Sequence, residues 1–284
     1  MRIALIADIH ANLPALEAVL ADIKKREPDM ILSLGDQINL GPCPRQTLEL
    51  LRAEAVTCLS GNHERYILAA MREDPAYSGA NFASLRFNTK RVTAQEITFR
   101  ETLEIDGITF CHAIPGDDRF PVHQPNQAVP MLREMYRRKQ AHIICGHGHN
   151  PAHYTIDGLR LDAIGSTGCM DRGIPGATCY TMLTLDQGDA VLQPVSIPFD
   201  ADRLPSLFRQ SGMVQECPIM AHIICLQMQR NHDYLVPFVE LARQLSMQND
   251  EEQVSERTWS QADQAFHWPD GMDTAAFWRR SASQ

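Results

Sequence analysis

Through its first 150 residues the chain alternates short apolar runs with segments whose apolar residues recur every three to four positions, the signature of strands joined by crossover helices. The opening run, Ile3-Ala4-Leu5-Ile6-Ala7, predicts a strand over 3–7. A helix is predicted over 14–26, with Asn12 as its cap, Pro14 in its first turn and Leu16, Val19, Leu20 and Ile23 along one face. Further strands are predicted at 30–34, 56–59, 108–111 and 142–145, a helix near 46–53, and less regular helical patterns across 64–100.

After residue 150 the pattern changes to paired runs, 152–156 with 159–163 and 178–185 with 190–197, their turns marked by Asp157-Gly158 and Gln187-Gly188-Asp189. These predict antiparallel hairpins that close a second sheet. Helical periodicity resumes over 198–211, and again at 219–226 and 234–245, where Asn231-His232-Asp233 separates the two and Pro237 falls near a helix start. The segment from Gln248 onward is polar with isolated Trp259, Trp268 and Trp278, and is expected to pack on the core as an extension with frayed ends.

Composition narrows the function. At 284 residues the chain can bury a full core, and its 44% hydrophobic content is that of a globular protein. The longest apolar stretches are broken by His222 and Gln227, so no membrane span is expected, and no secretory signal is visible at the start. Eight cysteines occur without a CxxC pair, which predicts reduced thiols and a cytoplasmic protein. A net charge of −9 disfavours non-specific binding to a nucleic-acid backbone. An anionic substrate would then need a local positive source, and bound metal ions supply one.

Ligand-type residues fall where such ions would need them. Asp8-Ile9-His10, Gly35-Asp36, Gly61-Asn62-His63-Glu64, His112 and Gly146-His147-Gly148-His149 each follow a predicted strand directly. Carboxyl ends of parallel strands share one edge of an open sheet, where ligands bind, so these distant residues are expected to converge there. Imidazole, carboxylate and amide donors without thiolate favour first-row divalent ions over calcium or a structural zinc site.

In that order these residues resemble the pattern of the calcineurin-like metallophosphoesterases: DxH, GD, GNH followed by an acidic residue, a lone His, and GHxH. The resemblance covers residues 1 to about 212, and 35–44 and 165–173 are similar to the branch of small bacterial phosphodiesterases. It implies a four-layer α/β/β/α sandwich of two mixed sheets, with residues 1–217 as the metallophosphoesterase domain and 218–284 as a helical extension packed on it. It also implies that Asp8, His10 and His149 bind one divalent ion, Asn62, His112 and His147 a second, and that Asp36 bridges the two. Manganese is the expected metal, with Fe, Ni, Co or Zn as alternatives. A hydroxide bridging the ions would attack phosphorus, and His63 would protonate the leaving oxygen or stabilise the transition state. Glu64 is expected to orient His63. The implied reaction is hydrolysis of a phosphodiester in a small or nucleotide-like substrate. The alternatives are a phosphomonoesterase, a protein phosphatase, a dinucleoside polyphosphate hydrolase and, from a different class, a non-catalytic scaffold with the same fold; the extension reads as a cap on the site, a face for a homo-oligomer or a cover for an apolar edge. The scaffold reading calls for missing ligands, and all seven are present.

The chain departs from that branch at Ala11, where Gly is usual, and at 165–172, where a Gln-Pro-Arg-Asp stretch is usual; no substrate role transfers to Arg172. Asn12 reads as a helix cap as readily as a substrate contact. His123, His142, His153, His222, His232 and His267 read as ordinary core or surface histidines, and Cys111 and Cys145 as small buried strand residues.

Overall fold

A computed structural model describes residues 1–120, 122, 142–156, 158–186 and 188–282. His123, Asp157 and Gln187 of the sequence reading lie outside the described residues. Ten strands form two five-stranded sheets. The first has the order β10-β9-β1-β2-β3. It comprises β1 (Arg2–Ile6), β2 (Met30–Ser33), β3 (Thr57–Cys58), β9 (Ala177–Asp186) and β10 (Asp189–Pro198). The second has the order β4-β5-β6-β8-β7, from β4 (Thr102–Ile105), β5 (Ile108–Cys111), β6 (His142–Cys145), β7 (Ala152–Ile156) and β8 (Leu159–Ala163).

Both sheets are mixed: β1-β2-β3 and β5-β6-β8 run parallel, while β9, β10, β4 and β7 add antiparallel partners. Alternation along β1 explains the layering. Ile3, Leu5 and Ala7 pack with Phe110 and Ile144 of the other sheet, forming the core between the sheets. Ala4 and Ile6 point the other way, onto Leu16, Val19 and Ile23 of helix α1 (Leu13–Arg26). The fold class expected from the sequence is observed.

Two details differ from the sequence reading. The β9–β10 hairpin adds to the first sheet through β1, with Leu5 opposite Thr181, and does not close the second. Strand β4 is absent from the prediction, because a four-residue strand of alternating half-buried and exposed residues carries almost no hydrophobic signal.

Beyond residue 200, six helices gather round a separate apolar cluster: α5 (Leu204–Gln210), α6 (Met213–Glu216), α7 (Pro218–Arg230), α8 (Leu235–Gln248), α9 (Glu256–Ala265) and α10 (Thr274–Arg280). The middle of α7, Met220 to Met228, is buried on every side. The three tryptophans all enter this cluster, and Phe238 meets Trp259, Phe266 and Trp268 with ring centroids 4.7, 5.2 and 5.6 Å apart. No helix among the described residues is long and apolar enough to cross a membrane.

Candidate metal centre

The eight residues singled out in the sequence lie together in the structure, but not at the edge of one sheet. Asp8 and Asp36 follow β1 and β2 of the first sheet, and Asn62 opens helix α3 (Asn62–Met71) after β3. His112 follows β5 of the second sheet, and His147 and His149 follow its β6. The single-edge expectation is therefore corrected. Strands of both sheets point their carboxyl ends to one rim, so the centre straddles the seam between them.

Side-chain atoms meet around Asp36, which is 1% exposed. Its Oδ2 lies 3.2 Å from His112 Nε2, 3.8 Å from His63 Nε2 and 4.0 Å from His10 Nε2. On one side, Nε2 of His10 and His149 are 3.2 Å apart, and His149 Nε2 is 3.8 Å from Asp8 Oδ1. On the other, His112 Nε2 sits 3.2 Å from His147 Nδ1 and 2.8 Å from Asn62 Oδ1. Asp8, His10 and His149 form one group with ligand atoms within 4.8 Å of one another, Asp36, His112 and His147 form another, and His10, Asp36 and His63 form a third between them.

The donor set fits divalent cations. Asp8 Oδ1 and His10 Nδ1 are buried without a hydrogen-bond partner among the described residues, a costly arrangement for a carboxylate unless a cation compensates it. Burial pushes the Asp8 carboxyl up to about 6 and drives His10 well below its usual value. His112 and His149 go the other way. Burial opposes their charge, yet the Asp36 carboxylate lifts His112 to about 10, and Asp171 with Asp8 lifts His149 to about 9. Both shifts mark imidazoles lodged beside buried carboxylates, a setting that favours positive charge.

Backbone conformation is specialised here as well. Asp8, His10, Asp36, His147 and His149 have φ of 52°, 50°, 56°, 61° and 53°, the left-handed region that costs non-glycine residues about 1–2 kcal/mol each. Cross-loop hydrogen bonds hold them there. Asp8 N donates to Gly35 O at 3.1 Å, His10 N to Asp36 O at 3.0 Å and Ser166 N to His149 O at 2.9 Å. Gly168 is required for close approach, since a Cβ at that position would collide with the carbonyl of Ile9 between the two ligands of the DxH element.

Four surrounding residues fix the ligands. His112 Nδ1–H donates to Leu34 O at 2.9 Å, leaving Nε2 to face Asp36. Glu64 does not orient His63; its two oxygens accept from the backbone N–H groups of Asp36, Gln37 and Gly61 at 3.0, 2.9 and 2.8 Å. At the start of α3 this acid, raised to about 8 by burial and the neighbouring Asp36 charge, clamps the loop that carries Asp36. Asn39 does what Glu64 was expected to do: its Nδ2 donates to His63 Nδ1 at 2.7 Å. Asn88 Nδ2 in turn donates to Asn39 Oδ1 at 3.4 Å, which sets the amide's orientation. Asp171 Oδ1 accepts from His149 Nδ1–H at 2.9 Å, the carboxylate–histidine pairing typical of metal ligands. Neither Asn39 nor Asp171 was singled out from sequence. Both lie in the stretches 35–44 and 165–173 that carry the resemblance, but only tertiary packing tells which polar residue of each stretch touches a ligand.

Other residues keep their ordinary roles. Asn12 Oδ1 accepts from Ala15 N at 3.3 Å and its Nδ2 donates to Gly168 O at 2.7 Å, so capping and loop support use its whole side chain. Arg172 is exposed, with its backbone bridged to His232. All eight cysteines are unpaired, Cys111 and Cys145 among the buried ones.

A family model described as calcineurin-like phosphoesterase matches residues 1–174, more than half of the chain. An uncharacterized protein of Methanocaldococcus jannaschii is 36% identical over 124 residues, 40% of this chain and 49% of that protein, so the match spans about half the length of the curated relative. The crystal structure of a metallophosphoesterase from Sphaerobacter thermophilus superposes with a TM-score of 0.59 at 21% identity, covering 75% of this chain and 95% of that one. That of a hypothetical protein from Pyrococcus horikoshii gives 0.61 at 16% identity, covering 82% and 99%. At these identities the two structures establish likeness of fold.

Proposed function

The chain belongs to the calcineurin-like phosphoesterase family, whose members are metal-dependent phosphoester hydrolases, and from that premise we propose that it hydrolyses a phosphodiester of a small substrate. Asp8, His10 and His149 hold one divalent cation in this reading, Asn62, His112 and His147 hold the other, and Asp36 is shared. When bound, the two cations supply Lewis acidity to the phosphoryl oxygens and bring the pKa of a water from 15.7 to about 7, making a nucleophile at neutral pH. The nitrogen and oxygen donors suit manganese, and eight unpaired cysteines suit a reducing, cytosolic compartment.

The remaining chemistry falls to His63. Because Asn39 donates to Nδ1, the proton of the neutral ring sits on Nε2, 3.8 Å from Asp36 Oδ2 and facing the centre. As the bond from phosphorus to the leaving oxygen breaks, that N–H donates a hydrogen bond to the oxygen and offsets its growing negative charge, and a proton from solvent completes the alcohol. Asp171 and the carbonyl of Leu34 keep His149 and His112 in the tautomers that turn Nε2 inward.

The observation favouring a diester is one of charge. Among the described residues, no Lys or Arg forms an ion pair or hydrogen bond with any of the eight site residues; Arg65, on α3, is taken by Asp118 at 2.6 Å. A monoester dianion brings one more negative charge than a diester, and among the described residues no guanidinium or ammonium is bonded to those eight side chains to help meet it. With added Mn, bis(p-nitrophenyl) phosphate is therefore expected to be turned over with at least tenfold higher kcat/KM than p-nitrophenyl phosphate. A preference for the monoester would overturn the diester assignment.

A further inference from the structure

Next to His63, a cavity of about 290 Å³ opens between the catalytic domain and helices α7 and α8 of the C-terminal segment. We propose that it is the leaving-group subsite, and that it takes an uncharged, planar aromatic alcohol; this rests on the phosphodiesterase reading above.

Location decides which half of the ester enters. His63 and Asn39 form part of the cavity wall, and His63 Nε2 is the atom that faces the centre. A group lodged there has its ester oxygen beside that N–H donor. That is the position of the departing alcohol, not of the group that stays on phosphorus.

The walls decide the chemistry. His63, Tyr66 and Phe82 line one side, with His63 to Tyr66 at 5.5 Å between ring centroids, and Tyr77, outside the lining, links Tyr66 at 5.3 Å to Phe82 at 5.2 Å. Met220 of α7 with Leu235 and Val239 of α8 supply an aliphatic wall opposite. A flat ring between these surfaces extends the tilted ring contacts and buries apolar area on both faces. The volume is at the small end of the ~300–1,000 Å³ typical of ligand sites, room for one fused ring system.

The mouth decides the charge. Glu240 and Arg243 lie three residues apart on α8, and neither has an ion-pair or hydrogen-bond partner among the described residues. One acid and one base side by side leave no net field to attract a second phosphate, so the subsite favours an uncharged group.

Two methyl phosphodiesters with leaving alcohols of matched acidity, 2-naphthyl and hexafluoroisopropyl, test this in the Mn-loaded full-length protein. The wild type is expected to favour the naphthyl ester at least tenfold in kcat/KM, and Val239→Trp, which fills the cavity, to bring the ratio near one. Equal kcat/KM for the two esters in the wild type would overturn the proposal whether or not the variant folds. Binding of free 2-naphthol, followed by its fluorescence, separates the two claims. Failure of both esters to turn over, with saturable naphthol binding weakened tenfold by Val239→Trp, would count against the hydrolase reading and for the subsite; absence of saturable binding would sink the subsite.

Discussion

Asp36→Asn is expected to lower kcat/KM by at least ~10³-fold and to loosen both cations together, several kcal/mol of transition-state stabilisation being what a metal pair contributes. The reason is that every half of the centre leans on this one carboxylate. Its Oδ2 is 3.2 Å from His112 on one side and 4.0 Å from His10 on the other, and its Oδ1 accepts the His63 backbone N–H at 2.8 Å. An amide of the same shape carries no charge to offset the repulsion between two neighbouring cations. Its NH₂ also points a donor at whatever the lost oxygen had accepted from. Circular dichroism should report an intact fold, and metal analysis less than one ion per chain. A variant that keeps two ions and wild-type turnover would remove Asp36 from the role assigned to it.

His63→Ala separates stabilisation of the leaving oxygen from metal binding. The ring stands 3.8 Å from Asp36 and is held through Nδ1 by Asn39, outside both groups of three in the ligand assignment. Its loss should leave metal content unchanged. A hydrogen-bond donor aimed at developing charge is worth about 10²–10³-fold, and it matters most when the departing oxygen is a strong base. Alkyl esters should therefore slow by that amount, and p-nitrophenyl esters by less than about tenfold. Equal slowing of both would assign His63 to substrate binding rather than to the leaving oxygen.

Much of this architecture is legible in the chain. The apolar run Ile3–Ala7 before Asp8, the run Met30–Leu34 broken only by Ser33 before Asp36, and the helical face of Leu16, Val19, Leu20 and Ile23 encode a strand–helix–strand unit by pattern alone. The carboxylates and imidazoles that follow the strands stand out because nothing in a buried turn requires such residues five times over. What the chain hides is long-range. Whether β9 pairs with β1 or with the second sheet depends on contacts between residues about 180 apart, such as Arg2 with Thr184, and both pairings present the same alternation. Glu64 yields its expected role to Asn39 for a similar reason: sequence adjacency puts Glu64 beside His63, but at the head of a helix its side chain turns back to the backbone N–H groups. Within the expected helical extension, α9 and α10 are not individually legible from periodicity, because α9 shows the core little beyond Thr258, Trp259 and Ala262. Their caps, Ser255 accepting from Thr258 N at 3.1 Å and Asp273 accepting from Ala276 N at 2.7 Å, carried the better signal.

Anomalous scattering at the manganese edge, from crystals of the full-length protein grown with MnCl₂, bears most directly on the centre. Two peaks are expected, one against Asp8, His10 and His149 and one against Asn62, His112 and His147, with the Asp36 carboxylate between them. A single peak, or manganese bound away from Asp36, would contradict it.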